Sequence, residues 1–205
     1  ACRLCRETPR FLPPLPHDPR PVLRVSSTAR ILVAGQAPGT RVHASGAPFT
    51  DPSGVRLRDW MGLSEAEFYD ASRIAIVPMG FCFPGLDAHG GDLPPRRECA
   101  LTWHDHLFAA LPRHAIILAI GLHAQRYHLR RLRLGHCLAA NLSATVQNWR
   151  AILAARLDVR IYPLPHPSWR NNAWLKKNGW FAAELLPSLR ADIRRTLNLT
   201  QEHGP

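Results

Sequence analysis

Lysine is almost missing from this chain; it occurs only at Lys176 and Lys177. Acidic side chains are also scarce, 15 against 26 basic ones, so the formal net charge is +11. A surplus of this size favours an anionic partner, nucleic acid first. Nearly all of the cations are arginines, whose planar forks suit bidentate phosphate contacts. Solubility, or the base composition of a GC-rich genome, is the plainer explanation. Long apolar runs are absent: none approaches the roughly 18 residues that cross a bilayer. No secretory hydrophobic segment opens the chain, and the expectation is a cytoplasmic protein with no membrane partner. Internal repeats and low-complexity linkers are lacking as well. Cysteine is present but odd in number, five in all, which argues against a disulfide framework and leaves a metal or cluster site open.

The 205 residues are enough for one domain with a substantial core. Residues 1–29 read as an irregular segment carrying a cysteine pair, because Pro9, Pro13, Pro14, Pro16, Pro19 and Pro21 forbid a long helix. Short apolar runs predict strands at Arg30–Ala34, Arg73–Val77, Ala115–Ile120 and Val159–Tyr162. Helices are expected at Gly54–Leu63, Arg97–Leu111, Leu122–Leu129, Val146–Ala155, Ala173–Lys177 and Phe181–Leu197, with Leu57, Trp60 and Met61 on one face of the first. Phe83–Pro95 is a Gly/Pro-rich loop, and Leu132–Ser143 fits either state. Strands alternating with helices predict an α/β fold: a single-domain three-layer αβα sandwich around a four-stranded parallel sheet, spanning 30–199. Thr200–Pro205 is expected to be a loose tail, and the protein a monomer.

Two of these strands end in turns rich in polar groups, where open α/β sheets place their sites. The first is Gly35-Gln36-Ala37-Pro38-Gly39, which runs on to Phe49 and Asp51. It lacks both G-x-G-x-x-G and the Walker lysine, so it is poorly suited to cradling phosphates. Phe49 could stack on a base or plug the core. Asp51 could orient a water or stabilise a developing cation; it could also cap the next helix, a task for which Ser53 is the better candidate. The second turn is Pro165-His166-Pro167-Ser168, in which prolines hold one imidazole at a strand end. Such a histidine can donate to an oxygen that gains charge as a bond breaks, or can simply bond a nearby carbonyl. Trp169, Arg170 and Asn171 follow, an aromatic and a cation suited to a duplex and its phosphates, or to the start of a helix. Cys2 and Cys5 form C-x-x-C, and with Cys82 and Cys99 could close a site for a cluster or zinc, or could be empty thiols; Cys137 lies outside the pattern.

Together these residues resemble the uracil-DNA glycosylase superfamily, nearest to its iron–sulfur branch, families four and five. Gly35-Gln36-Ala37-Pro38-Gly39 is similar to motif one, Gly46-Ala47-Pro48-Phe49 to the segment whose Phe stacks on extruded uracil, and His166-Pro167-Ser168 to motif two. The resemblance implies a DNA-repair glycosylase that flips out uracil, or other deaminated bases, and hydrolyses its N-glycosidic bond. A non-catalytic binder of damaged DNA on the same fold is the alternative. Asp51, His166 and Gln36 would be catalytic. Phe49, Gly35 and Ala37 would bind the base, and Ser168, Trp169, Arg170 and Asn171 the DNA. Cys2, Cys5, Cys82 and Cys99 match the ligands of a 4Fe-4S cluster in order. Two departures stand out. Gln36 takes the place of the family-four acid, which moves the carboxylate's work to Asp51. Pro78 takes the place of the base-reading Asn, leaving readout to backbone groups around Met79 and Gly80.

Overall fold

A computed structural model describes residues 2–199; the tail expected at Thr200–Pro205 lies outside the described residues. Four strands, β1 (Ile31–Ala34), β2 (Ile74–Ile76), β3 (Ile116–Ile120) and β4 (Arg160–Leu164), form one parallel sheet in the order β2-β1-β3-β4. Ile31 pairs with Ile74 on one side and Ile116 on the other, and Ile117 pairs with Ile161. Side chains alternate between the two faces. Ile31, Val33, Ile76, Leu118 and Tyr162 face one core; Leu32, Ala34, Ala75, Ala119 and Ile161 face the other. Both faces are apolar, so both must be covered. Helices Pro52–Met61 and Leu186–Leu197 cover the first through Leu57, Trp60, Met61, Leu189 and Ile193. Helix Gly121–Arg131 covers the second through Ala124 and Leu129, and the helical stretch from Arg97 to Ala110 adds Cys99 and Phe108. The three-layer α/β arrangement expected from the sequence is therefore present.

The local differences have physical causes. The stretch read as one helix over Val146–Ala155 is broken at Asn148 into Leu142–Gln147 and Trp149–Ala154. The Asn141 side chain caps the first of these by accepting from Ala144 N–H at 2.9 Å, which resolves the ambiguous segment before it. β4 runs on through Pro163 to Leu164, two residues beyond the expected end. The Thr40–Ser45 helix went unread, since its short, mostly polar sequence offers no apolar period. The proline-rich N-terminal segment contains a one-turn helix, Leu4–Glu7, and is tied to the fold. Arg24 bridges Ile76, Val22 N–H donates to Phe81 O at 2.7 Å, and Leu15 N–H donates to Cys5 O at 2.8 Å. No helix among the described residues is long and apolar enough to cross a membrane.

Candidate active site

The carboxyl ends of β1, β2 and β4 open on one side of the sheet. A cleft of about 650 Å³ lies there, with a recess of about 70 Å³ leading off it. Gln36, Ala37, Asp51, Ser53, Asp92 and His166 line both. Gly35, Phe49, Ile76 and Pro78 belong to the recess alone; Arg41, Arg56, Ser168, Trp169, Arg170 and Asn171 belong to the cleft alone. The inner space thus sets Phe49, Ile76 and Pro78 beside the shared polar groups, and the outer space carries guanidinium groups and an indole that is 72% exposed.

Phe49 enters the recess in a strained backbone state, φ 57, which costs a non-glycine residue about 1–3 kcal/mol. Three contacts hold it. Tyr69 Oη donates to the carbonyls of Pro48 and Phe49 at 2.9 and 3.0 Å. The Phe49 ring meets Phe68 edge-on at 6.0 Å. Gly54 lies against the Phe49 carbonyl, where no side chain fits. The ring also reaches over Gly35, so a Cβ there would lie 3.4 Å from Phe49 Cζ. Phe49 therefore packs on the core with one part of its ring and walls the recess with another.

Asp51 occupies the N-cap position of the Pro52–Met61 helix, yet its side chain bonds no helix N–H. Ser53 Oγ donates to Asp51 Oδ1 at 2.7 Å instead. Ser53, expected to be the cap, sits inside the helix and serves the carboxylate. Pro52 follows as first helical residue, where a missing N–H costs nothing. His166 stands beyond β4 in a loop fixed by two bonds: Asn171 Nδ2 donates to His166 O at 2.7 Å, and Arg56 Nη1 donates to Ser168 O at 3.0 Å. Burial pushes the His166 imidazole below its ordinary value; Asp51 and Asp92 pull it up, and Arg170 pushes it further down. The ring is uncharged at neutral pH, with an N–H to donate.

Met79 and Gly80 require a correction. Their N–H groups donate to Gly35 O and Gln36 O, both at 2.9 Å, and neither residue lines the cleft or the recess. Phe81 N–H is taken by Cys99 Sγ at 3.3 Å. The first two brace the glycine turn, and all three N–H groups are spent before any base arrives. Asp92 is the residue that the sequence did not announce. It lies in the Gly/Pro-rich loop, and its carboxylate joins Asp51 and His166 in both spaces.

The four cysteines expected as ligands line neither the cleft nor the recess. Cys5 and Cys82 pack with Leu15, while Cys137 lies under the second face of the sheet. Burial, with a smaller contribution from the Cys2 and Cys5 thiols, pushes Cys82 up to about 11 and Cys99 up to about 12. The Cys-bearing segment is stitched down nearby: Arg96 pairs with buried Glu98 at 2.7 Å and donates to Phe11 O and Pro13 O. Among the described residues no three His, Cys, Asp or Glu side chains converge on a single metal ion.

A recess walled in part by Phe49 opens into an arginine-bearing cleft at the carboxyl edge of a parallel sheet, the arrangement of an α/β enzyme. The model of the uracil DNA glycosylase superfamily matches residues 24–190, and the chain belongs to that family. It is by that membership a DNA glycosylase, with DNA as substrate.

Proposed function

We propose that the protein removes uracil, and other deaminated bases, from DNA by hydrolysing the N-glycosidic bond, the opening step of base excision repair. The observation that carries this reading is the meeting of Phe49, Asp51 and His166 in one recess, although they come from separate turns. Arg41, Arg56 and Arg170 would take phosphates, and Trp169 would meet the stack that the flipped base leaves. Unstacking costs a few kcal/mol, which those contacts and stacking on Phe49 offset. As the C1′–N bond breaks, its electron pair leaves with the base. The neutral His166 donates an N–H to the base oxygen that gains charge. Asp51, which accepts the Ser53 hydroxyl, faces the cationic sugar. Water supplies oxygen to C1′, and its proton balances the departing base. Gln36 borders both spaces and orients water or base. Pro78 offers no N–H and Met79 and Gly80 offer none that is free, so the recess reads shape more than pattern and admits more than uracil.

Cys2, Cys5, Cys82 and Cys99 fit a 4Fe-4S cluster: all four donors are thiols within range of one another's charge, yet they do not converge as a single ion requires. Such a cluster would supply a cross-link between the N-terminal segment and the Cys82–Cys99 region, and a brown protein would reveal it where zinc or empty thiols give none. The protein would act as a monomer, on DNA in the cytoplasm. The test is incubation with single- and double-stranded oligonucleotides carrying uracil, hypoxanthine or xanthine, followed by alkaline cleavage at abasic sites. Abasic product from the uracil strand supports the reading. Retention of damaged DNA with no abasic product from any strand replaces it with the binding-only alternative.

A further inference from the structure

Two carboxylates, Asp51 and Asp92, line the same recess, and only one of them is occupied. Asp51 accepts the Ser53 hydroxyl at 2.7 Å. The side chain of Asp92 has no hydrogen-bond partner among the described residues. Its loop is built to present it. Asp87 N–H donates to Gly91 O at 2.8 Å, Leu93 N–H donates to Gly85 O at 3.0 Å, and Leu86 bridges Asp92, which closes a hairpin. The loop's other carboxylate, Asp87, is consumed within it, accepting from His89 N–H and Gly91 N–H at 2.8 Å each. Asp92 instead turns to the glycine turn, where its Oδ2 lies 3.4 Å from the position of a Cβ on Gly39. It borders the cleft, from which water arrives, and the recess, where the bond would break.

Resting on the glycosylase reading, we infer that Asp92 is a catalytic base: it binds the attacking water and takes its proton as the oxygen bonds to C1′, while Asp51 stabilises the cationic sugar. The C1′–N electron pair goes to the base, and the proton that Asp92 takes from the water is returned to solvent as the departing base takes one up, so the charges balance. The division follows from the surroundings. A carboxylate tied to a hydroxyl donor is a poorer base than an untied one, and pairs of carboxylates in unlike settings commonly divide acid–base work from charge stabilisation. Around Asp92, loss of surrounding water, Asp51 and Asp87 raise its proton affinity, against Arg170 and His166, which lower it.

The test compares Asp92→Asn with wild type on a uracil oligonucleotide in single turnover, over a pH range, with and without azide. Azide is a nucleophile that needs no base. The expected result is a rate loss of about a hundredfold or more, disappearance of the acidic limb of the pH profile, recovery with azide to give the glycosyl azide, and unchanged DNA affinity. Asp51→Asn should not recover with azide. A wild-type-like rate for Asp92→Asn, or a loss that azide leaves in place with the acidic limb intact, overturns the assignment while the glycosylase reading stands. An inactive wild type overturns both.

Discussion

Gly54 and Phe49 are in such close contact that a Cβ on Gly54 would lie 1.8 Å from the Phe49 carbonyl oxygen. The first turn of a helix is thus pressed onto the backbone of the residue that walls the recess. Alanine inside a helix is ordinarily favoured over glycine by about 1 kcal/mol. Here the sign should invert. Gly54→Ala is expected to lower the melting temperature and to cut base release more than it cuts DNA binding, because the loop carrying Phe49 must move. A stabilised, fully active variant would show that the contact relaxes freely.

Tyr69 holds the same loop from the other side, through one hydroxyl shared between two carbonyls. Tyr69→Phe keeps the ring on Phe68, 5.1 Å between centroids, and removes only that donor. A stability loss of about 0.5–1.5 kcal/mol is expected, with a weaker preference for damaged over undamaged DNA as Phe49 leaves its strained state. Denaturant midpoints and competition binding measure the two effects separately.

Three histidines beneath the second face of the sheet make stability depend on pH. Burial lowers His104 and His114 to about 4, and His128 well below its ordinary 6.5. Both ring nitrogens of His104 and of His128 lack partners among the described residues. Unfolded, each takes up a proton near 6.5; folded, His104 and His114 do not until about 4, and His128 is held well below its ordinary value. The unfolded chain therefore binds more protons in that window, and stability present above 6.5 drains away as pH falls toward 4. Each of His104 and His114 can contribute up to about 3 kcal/mol to that loss, against a whole stability of about 5–15 kcal/mol. Urea midpoints should fall steeply across the window, and less steeply in His114→Leu. A flat profile would contradict the neutral assignment.

Glu98 accepts from Arg96 at 2.7 Å and from Phe11 N–H at 3.2 Å. Burial alone would push its carboxyl up, but these bonds win and it stays below the ordinary carboxylate range. Glu98→Gln leaves the Arg96 charge without its partner, a loss of about 3–5 kcal/mol for a buried pair. Faster proteolysis of the segment holding Cys2 and Cys5 is expected, with the sheet intact. If a cluster also tethers that segment, its removal should add to the effect.

The sheet was legible because Ile31–Ala34, Ile74–Ile76 and Ile116–Ile120 are unbroken apolar runs between turn residues. Phe49, Asp51 and His166 were legible as candidates because each sits in a segment stiffened by neighbouring proline or opened by glycine. Their meeting in one recess follows from the strand order, which places β1 and β4 on either side of β3. Asp92 was hidden because a Gly/Pro loop has no period, and only its hairpin closure and the approach to Gly39 reveal where it points. Met79 and Gly80 were misread for a related reason: sequence does not show that the carbonyls of Gly35 and Gln36 already claim their N–H groups. Ser53 is not the cap that its residue type suggested, because a serine two residues on can donate to the aspartate instead.

The most direct measurement is the single-turnover rate of uracil release from a DNA oligonucleotide by wild type and by His166→Ala, with affinity for the same DNA measured in parallel. Loss of a donor aimed at developing charge costs about 3–4 kcal/mol in the barrier, a fall of a hundredfold or more. The expected result is that fall with DNA affinity nearly unchanged. Equal rates for the two proteins would contradict the role of the Phe49–Asp51–His166 recess as the place where the bond is cut.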